Sequence, residues 1–434
     1  MKFFKRALPL FLCAVACASA FAGCAAGKST QLGTPKPAQP LVGGGEASDS
    51  VAAGARAFAA KFAPAALKDA ELGKNYAVSP VSAYMALVVA AACTKGQTQE
   101  EIVSALGVDY RTLESGFSDF FRTVVKDEKD DLGEQAGLVT PVNSVWIDEH
   151  VQPKQDCLQT LADDYYSYSY AADFLNDNKN ANLVVRNFVK EQTHEMIDVD
   201  FKLSEETLLV ILNTLYLKDV WNDAGKELSL TQEEHSFVNA DGTTAQKQLL
   251  EGYYRAGRVH ETKTYSTFFT TTNMGLKIKF VLPKQGVAPK EVFTEKTLAE
   301  VNALSDYNEV NRKKKEEYYT RCIFPEYTAS YDEQIAEALK ENFGINTIFQ
   351  RLSADFSALS DEQMFCSQVR HVTKLDVNRK GVEGSAVTIM GISGSSAPNE
   401  YKRVYEDFVV DRAFGFLLTD SNDTVLFSGI VNKV

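Results

Sequence analysis

The stretch GVEGSAVTIMGISGSSAP, Gly381 to Pro398, sends two opposite signals. Beyond Glu383 it carries no ionisable side chain, in a chain where 24% of residues are charged. Its glycines and serines, with the closing proline, favour a surface connection, whereas Val382, Val387, Thr388, Ile389 and Ile392 are β-branched and favour extended pairing. A segment that is loop in one state and strand in another satisfies both signals.

The surrounding chain has 434 residues, 45% of them apolar, enough for one large core. Its formal charge of −13, from 45 basic and 58 acidic residues, speaks against nucleic acid as a partner. The N-terminus has the form of an export signal: Lys2, Lys5 and Arg6, then an apolar run from Ala7 to Cys17, then the small residues of AFAGC. Cys24 after Ala22 and Gly23 resembles the lipidation site of bacterial lipoproteins, with Phe21 in place of the usual leucine; simple secretion with cleavage nearby is the alternative. Residues 1–23 are thus read as a leader, and 24–50, rich in Gly, Pro, Ser and Ala, as a lipidated cysteine with a flexible tether. A single domain is expected over 51–434. This places the protein outside the cytoplasm, at a bacterial surface or secreted. Cys93, Cys157, Cys322 and Cys366 are scattered without CxxC spacing, which argues against zinc and leaves their pairing open.

Within the domain, Ser79 before Pro80 is an N-cap with proline at the first helical position, opening an apolar helix that stops near Gly96. Thr98 and Glu101 have capping-box spacing for a second helix closing at Gly107. Strands are expected at 208–217, 276–283, 372–378, 414–420 and 424–431. Helices crowd the first half and strands the second, an α+β pattern. The five histidines, His150, His194, His235, His260 and His371, show neither HxxxH nor HExxH spacing. The run from Gly391 to Ser395 misses the serine-hydrolase elbow by its last residue, and no phosphate loop occurs. An enzyme reading would need a site assembled from scattered residues; no metal or cofactor is expected.

Six ordered stretches resemble the serpin family, over 51–434: NYAVSPVSAYMALVVAAACTKGQTQEEIVSALG, NTLYLKDVW, FPEYTASYDEQIAEALKENFGINTIF, ADFSALS, VRHVTKLDVNRKGVEGSAV and FGFLLTDSNDTVLFSGIVN. The resemblance implies a serpin fold, with a large central mixed or antiparallel sheet, further sheets, about nine helices and an exposed reactive loop. It implies an irreversible suicide-substrate inhibitor of serine proteases, with papain-like cysteine proteases as a further class, in which the cut loop inserts into the main sheet. No catalytic residue of its own is then needed. The implied hinge is Gly381, Val382, Glu383, Gly384, Ser385, Ala386, Val387 and Thr388; the implied shutter is Ser79, Ser82, Asn213 and His371, and the breach Trp221. Val382 departs from the family's Thr or Ser, and Arg379 and Lys380 from its acidic residues. Counting from Gly381 puts the scissile bond at Ser395–Ser396, which favours an elastase-like or subtilisin-like target. Counting back from Phe414 gives Lys402–Arg403 and a trypsin-like one. The expected molecule is a monomer; the alternative is a non-inhibitory binding or structural lipoprotein whose loop is only a substrate.

Alternation tests whether the loop is able to insert. Val382, Gly384, Ala386, Thr388, Met390 and Ile392 share one strand face and none is charged; the other face holds one charge, Glu383, at its start. Insertion therefore buries no unpaired charge.

Overall fold

Ser79 begins the helix that the sequence marks most clearly. Its hydroxyl accepts the Ser82 amide, Pro80 occupies the first turn, and in the resulting α2 (Pro80–Cys93) every residue except Ala86 is buried. The next helix, α3 (Gly96–Leu106), ends on Gly107 in the left-handed conformation at φ 70°. The expected Thr98–Glu101 capping box does not form, because α3 starts at Gly96 and Thr98 is already inside it. Both side chains instead cap other segments: Thr98 Oγ1 accepts the Asp355 amide at 3.0 Å, and Glu101 Oε2 accepts the Asn346 and Thr347 amides, each at 2.7 Å. Tertiary donors have replaced the local ones.

The protein is described by a computed structural model over residues 28–129, 135–221, 228–255, 258–304, 315–382 and 402–434. Among these, nine α-helices surround three main sheets. The largest sheet runs β1 (Thr30–Gly33), β5 (Ser167–Ala172), β4 (Gln135–Asp148), β6 (Leu209–Val220), β17 (Gly381–Val382), β16 (Arg370–Asn378) and β15 (Tyr327–Gln334), with β3 (Lys126–Lys129) also on β4. It is antiparallel except between β4 and β5. A six-stranded sheet contains β13 (Lys277–Pro283), β19 (Phe414–Thr419) and β20 (Val425–Val431), three of the predicted strands. In a four-stranded sheet, β18 (Lys402–Val409) lies parallel to β14 (Glu316–Phe324).

Strand parity divides the interior in two. Odd-numbered Val139, Val145 and Ile147 of β4 join the principal core with α2, whereas Val142 and Trp146 face the second cluster, built on Val185 and Phe188 of α6 (Asn178–Gln192). In β6 the odd residues Leu215 and Leu217 likewise face the principal core. The large sheet is therefore covered on both faces around β4 and β6, and a polar side chain at an odd position there must find a partner inside.

The tether expectation is corrected at residues 30–33 and 46–50. Thr30–Gly33 is the antiparallel edge strand β1 on β5, and α1 (Glu46–Ala66) takes in residues 46–50. Composition failed here for two reasons: backbone pairing on a sheet edge needs no large apolar side chain, and alanine is the best helix former. Among the described residues no helix is long and apolar enough to cross a membrane. The leader and Cys24 lie outside the described residues.

Candidate functional site: a slot in the main sheet

Strands β6 and β16 do not pair with each other; among the described residues only the two of β17 join them. Gly381 and Val382 pair antiparallel with Asn378 and Val377 on one side and with Val220 and Asp219 on the other. At the opposite end a cavity opens between Leu209–Thr214 of β6 and Arg370–Val372 of β16, floored by Ala83, Ala86 and Leu87 of α2. Accordingly Leu209 to Asn213 are only half-buried, while Leu215 to Leu217 are buried. The sheet is thus closed at one end and parted at the other.

The closed end is tightly fitted. A Cβ on Gly381 would stand 2.0 Å from the Asp219 carbonyl oxygen, so only glycine lets the chain enter between the strands here. Val382 is fully buried in the principal core. Trp221 is 1% exposed, donates its indole N–H to the Asn378 carbonyl at 2.8 Å and meets the Phe324 ring edge-on. Beyond Asn378 the turn is held by Glu326, which accepts the Arg379 amide at 2.7 Å. Asp219 is buried beside this junction; its carboxylate accepts the Val220 and Met274 amides at 2.8 and 3.0 Å, yet burial raises its pKa to about 7.

At the parted end a chain of polar groups spans the slot. His371 of β16, 7% exposed, accepts the Ser79 backbone N–H on Nε2 at 3.0 Å, which puts its own proton on Nδ1. Desolvation lowers its pKa to about 4. Ser79 Oγ donates to the Leu426 carbonyl at 2.8 Å. On the other flank Ser82 Oγ donates to Asn213 Oδ1, Asn213 Nδ2 donates to Asn143 Oδ1 at 2.8 Å, and Asn143 Nδ2 to the Tyr165 carbonyl at 2.8 Å. Helix α2 therefore holds one flank through Ser82 and the other through Ser79.

Of the four expected shutter residues, Ser82, Asn213 and His371 line the slot and Ser79 is bonded to His371, while Trp221 sits at the closed end. Asn143 and Asp219 were missed by sequence reasoning; each lies in a polar pair within an otherwise apolar strand run, Asn143-Ser144 in PVNSVW and Lys218-Asp219 in YLKDVW. Gly381 and Val382 are the described part of the hinge. Glu383, Gly384, Ser385, Ala386, Val387, Thr388, Ser395 and Ser396 lie outside the described residues. Lys402 and Arg403 open β18, where they pair in register with Glu316 and Glu317. A compact acid–histidine group, Asp148, His150 and Asp173, is held by internal bonds: Asp148 accepts the His150 and Phe174 amides at 3.0 and 2.9 Å and meets His150 Nδ1 at 2.7 Å.

An α+β body with three sheets, the largest of them parted between its central strands, is the architecture of the serpin class. The thermophilic serpin tengpin in its native state matches with a TM-score of 0.70 at 20% identity, covering 93% of this chain and 97% of that one; its latent state gives 0.68. Thyroxine-binding globulin in complex with thyroxine matches at 0.70 and 22% identity, covering 88% of this chain and 98% of that one. In sequence, iripin-2 of Ixodes ricinus is 26% identical, covering 83% of this chain and 88% of its own, and plasminogen activator inhibitor 1 of Sus scrofa is 24% identical, covering 82% and 86%. The family model for serpins, serine protease inhibitors, matches residues 53–434, and the chain belongs to that family. The family's general role is inhibition of proteases rather than catalysis.

Proposed function

We propose that this protein is an irreversible suicide-substrate inhibitor of serine proteases, and that the slot between β6 and β16 receives its cut loop. The observation that carries the reading is β17: the first two loop residues already occupy the slot's closed end as a central strand paired on both sides. Carried on in the same register, Thr388 falls opposite Asn213 on one flank and His371 on the other, and Ile392 opposite Leu209, the first residue of β6. Val382 faces the principal core, so Gly384, Ala386, Thr388, Met390 and Ile392 would follow it there. All are uncharged. Glu383 would face the α6 side.

The chemistry belongs to the target. Its serine attacks the loop carbonyl, the leaving amine departs with the C-terminal segment, and insertion carries the acyl-enzyme away before water releases it. Slot length supports a bond at Ser395–Ser396: Gly381 to Ile392 fill it, with a short remainder to the protease. A cut at Lys402–Arg403 would leave slack containing Pro398 and Glu400, and Lys402 and Arg403 themselves already belong to a paired strand. A serine at the cut favours elastase-like or subtilisin-like targets over trypsin-like ones. Incubating the protein with one protease of each type and resolving the products on a denaturing gel tests this. A covalent adduct with the first two types and a released peptide beginning at Ser396 are expected; cleavage without adduct at every ratio contradicts inhibition. We further infer anchoring through Cys24 at a bacterial surface, supported by AFAGC; incorporation of labelled palmitate that Cys24→Ala fails to abolish contradicts it.

A second reading, a binding protein whose loop is only cut, draws on Val382, bulkier than the family's usual residue, and on thyroxine-binding globulin, a serpin-fold protein that binds thyroxine.

A further inference from the structure

The register of the main sheet assigns its two ends to two different parts of the chain. Thr30 of β1 pairs with Ala171 of β5, Ala171 with Ile147 of β4, and Ile147 with Leu209 of β6, so these four residues form one row across the sheet. Leu209 stands at the parted end of the slot. At the far end of the same strand Val220 pairs with Gly381, the root of the loop. The strand from Leu209 to Val220 spans roughly 37 Å at ~3.4 Å per residue.

The N-terminal arm enters the fold at the parted end. Lys28 lies just before β1, and its carbonyl accepts Asn180 Nδ2 of α6 at 3.5 Å. Beyond β1 the arm stays down on the body: Arg122 Nε donates to the Gln39 carbonyl at 3.1 Å, and the Leu41 amide donates to the Arg122 carbonyl at 3.0 Å. Only Ala25, Ala26 and Gly27 stand between Cys24 and Lys28. At no more than ~3.6 Å per residue, the Cα atoms of Cys24 and Lys28 are held within about 14 Å of each other. A lipid on Cys24 therefore brings the row of Thr30 and Leu209 up to the bilayer.

We propose that the parted end of the main sheet faces the lipid surface in which Cys24 is anchored, and that the closed end, with the loop root, faces outward to proteases arriving from solution. The proposal rests on the anchoring reading. The side chains at this end show that the tether, and not adhesion, sets the orientation. Exposed Glu149, Asp177, Asp200, Glu205 and Glu206 outnumber exposed Lys28, Lys179 and Lys202, so the face has no attraction of its own for anionic headgroups. Beside them Leu175 and Leu183 are 52% and 37% exposed; they meet the interface as apolar contacts but are too few to hold the body there alone. Lys179, Lys202 and Leu183 line one cleft at the start of α6. A protease whose active site lies close to the same bilayer is separated from the loop root by the length of β6.

The test compares two samples: the full chain, made in a lipidating bacterium and inserted from outside into phosphatidylcholine vesicles, and Cys24→Ala in solution without vesicles. A water-soluble amine-acylating reagent labels the exposed lysines, and peptide masses give the rate at each. On the vesicles Lys28, Lys179 and Lys202 are expected to label more slowly by about threefold or more. Lys129 and Lys380, exposed at the closed end, are expected to label at the same rate in both samples. Unchanged rates at both ends, or slowing at Lys129 and Lys380, overturn the orientation. Flotation separates this from the reading beneath it. A full chain that fails to float with the vesicles overturns anchoring and orientation together; one that floats and labels evenly overturns the orientation and leaves the anchoring standing.

Discussion

His371 is the residue on which the closed state turns, because it must stay neutral to accept the Ser79 amide. Its folded pKa of about 4 lies below the usual ~6.5, so the unfolded chain takes up the proton first as pH falls. Its contribution is whole above pH ~6.5 and falls away between there and about 4. Asp219 works in the other direction: raised to about 7, it favours the folded state at low pH and loses that advantage as pH rises from ~4 through 7. The two slopes oppose each other in one window, so a variant is needed to separate them. In His371→Gln the destabilisation on acidification from pH 6.5 to 4 is expected to weaken, leaving thermal midpoints that decline with rising pH across that range. An unchanged pH profile by calorimetry would contradict the assignment.

In the proposed inserted strand, continuing the register of β17 would put Thr388 at the polar bridge between the flanks. Replacing it with arginine would bring a charge against His371 and Asn213 in the core, a burial that costs several kcal/mol unless paired. Thr388→Arg is expected to turn an inhibitor into a substrate: cleaved at the parent rate, with adduct yield falling about tenfold or more, as densitometry of the gel would show. Retained adduct yield would mean the register shifts beyond Val382. The parts of this site that could be read in the sequence are those with local cause. Ser79 announces itself by proline and an apolar run, and the five long strands by their β-branched content. Resemblance, not pattern, supplied His371 and Asn213. The Thr98–Glu101 spacing misled because Asp355, Asn346 and Thr347, distant in sequence, supply the donors. Likewise β1 was invisible because its partner β5, and not its own residues, makes it a strand. Asn143 reads as an ordinary polar residue until β4 and β6 bring it to Asn213.

In the molecule as a whole, the main sheet holds, among the described residues, only Gly381 and Val382 between β6 and β16. On the proposed reading, filling the rest of that place would add ladder hydrogen bonds on both sides of the loop and bury an uncharged face against α2, and the uncut loop, tied at both ends, would be held from doing so. In the proposed mechanism the intact form is stable by rate and not by depth, with β17 as the point from which relaxation would proceed. That claim separates this account from the binding-protein reading more sharply than any activity assay, since a loop that is merely cut leaves the sheet as it was. The direct measurement is the melting of the protein before and after a single cut in the 383–401 segment. The account predicts that the cut form melts higher by more than about 10 °C, with the transition of the intact form gone; superimposable melting curves would contradict it.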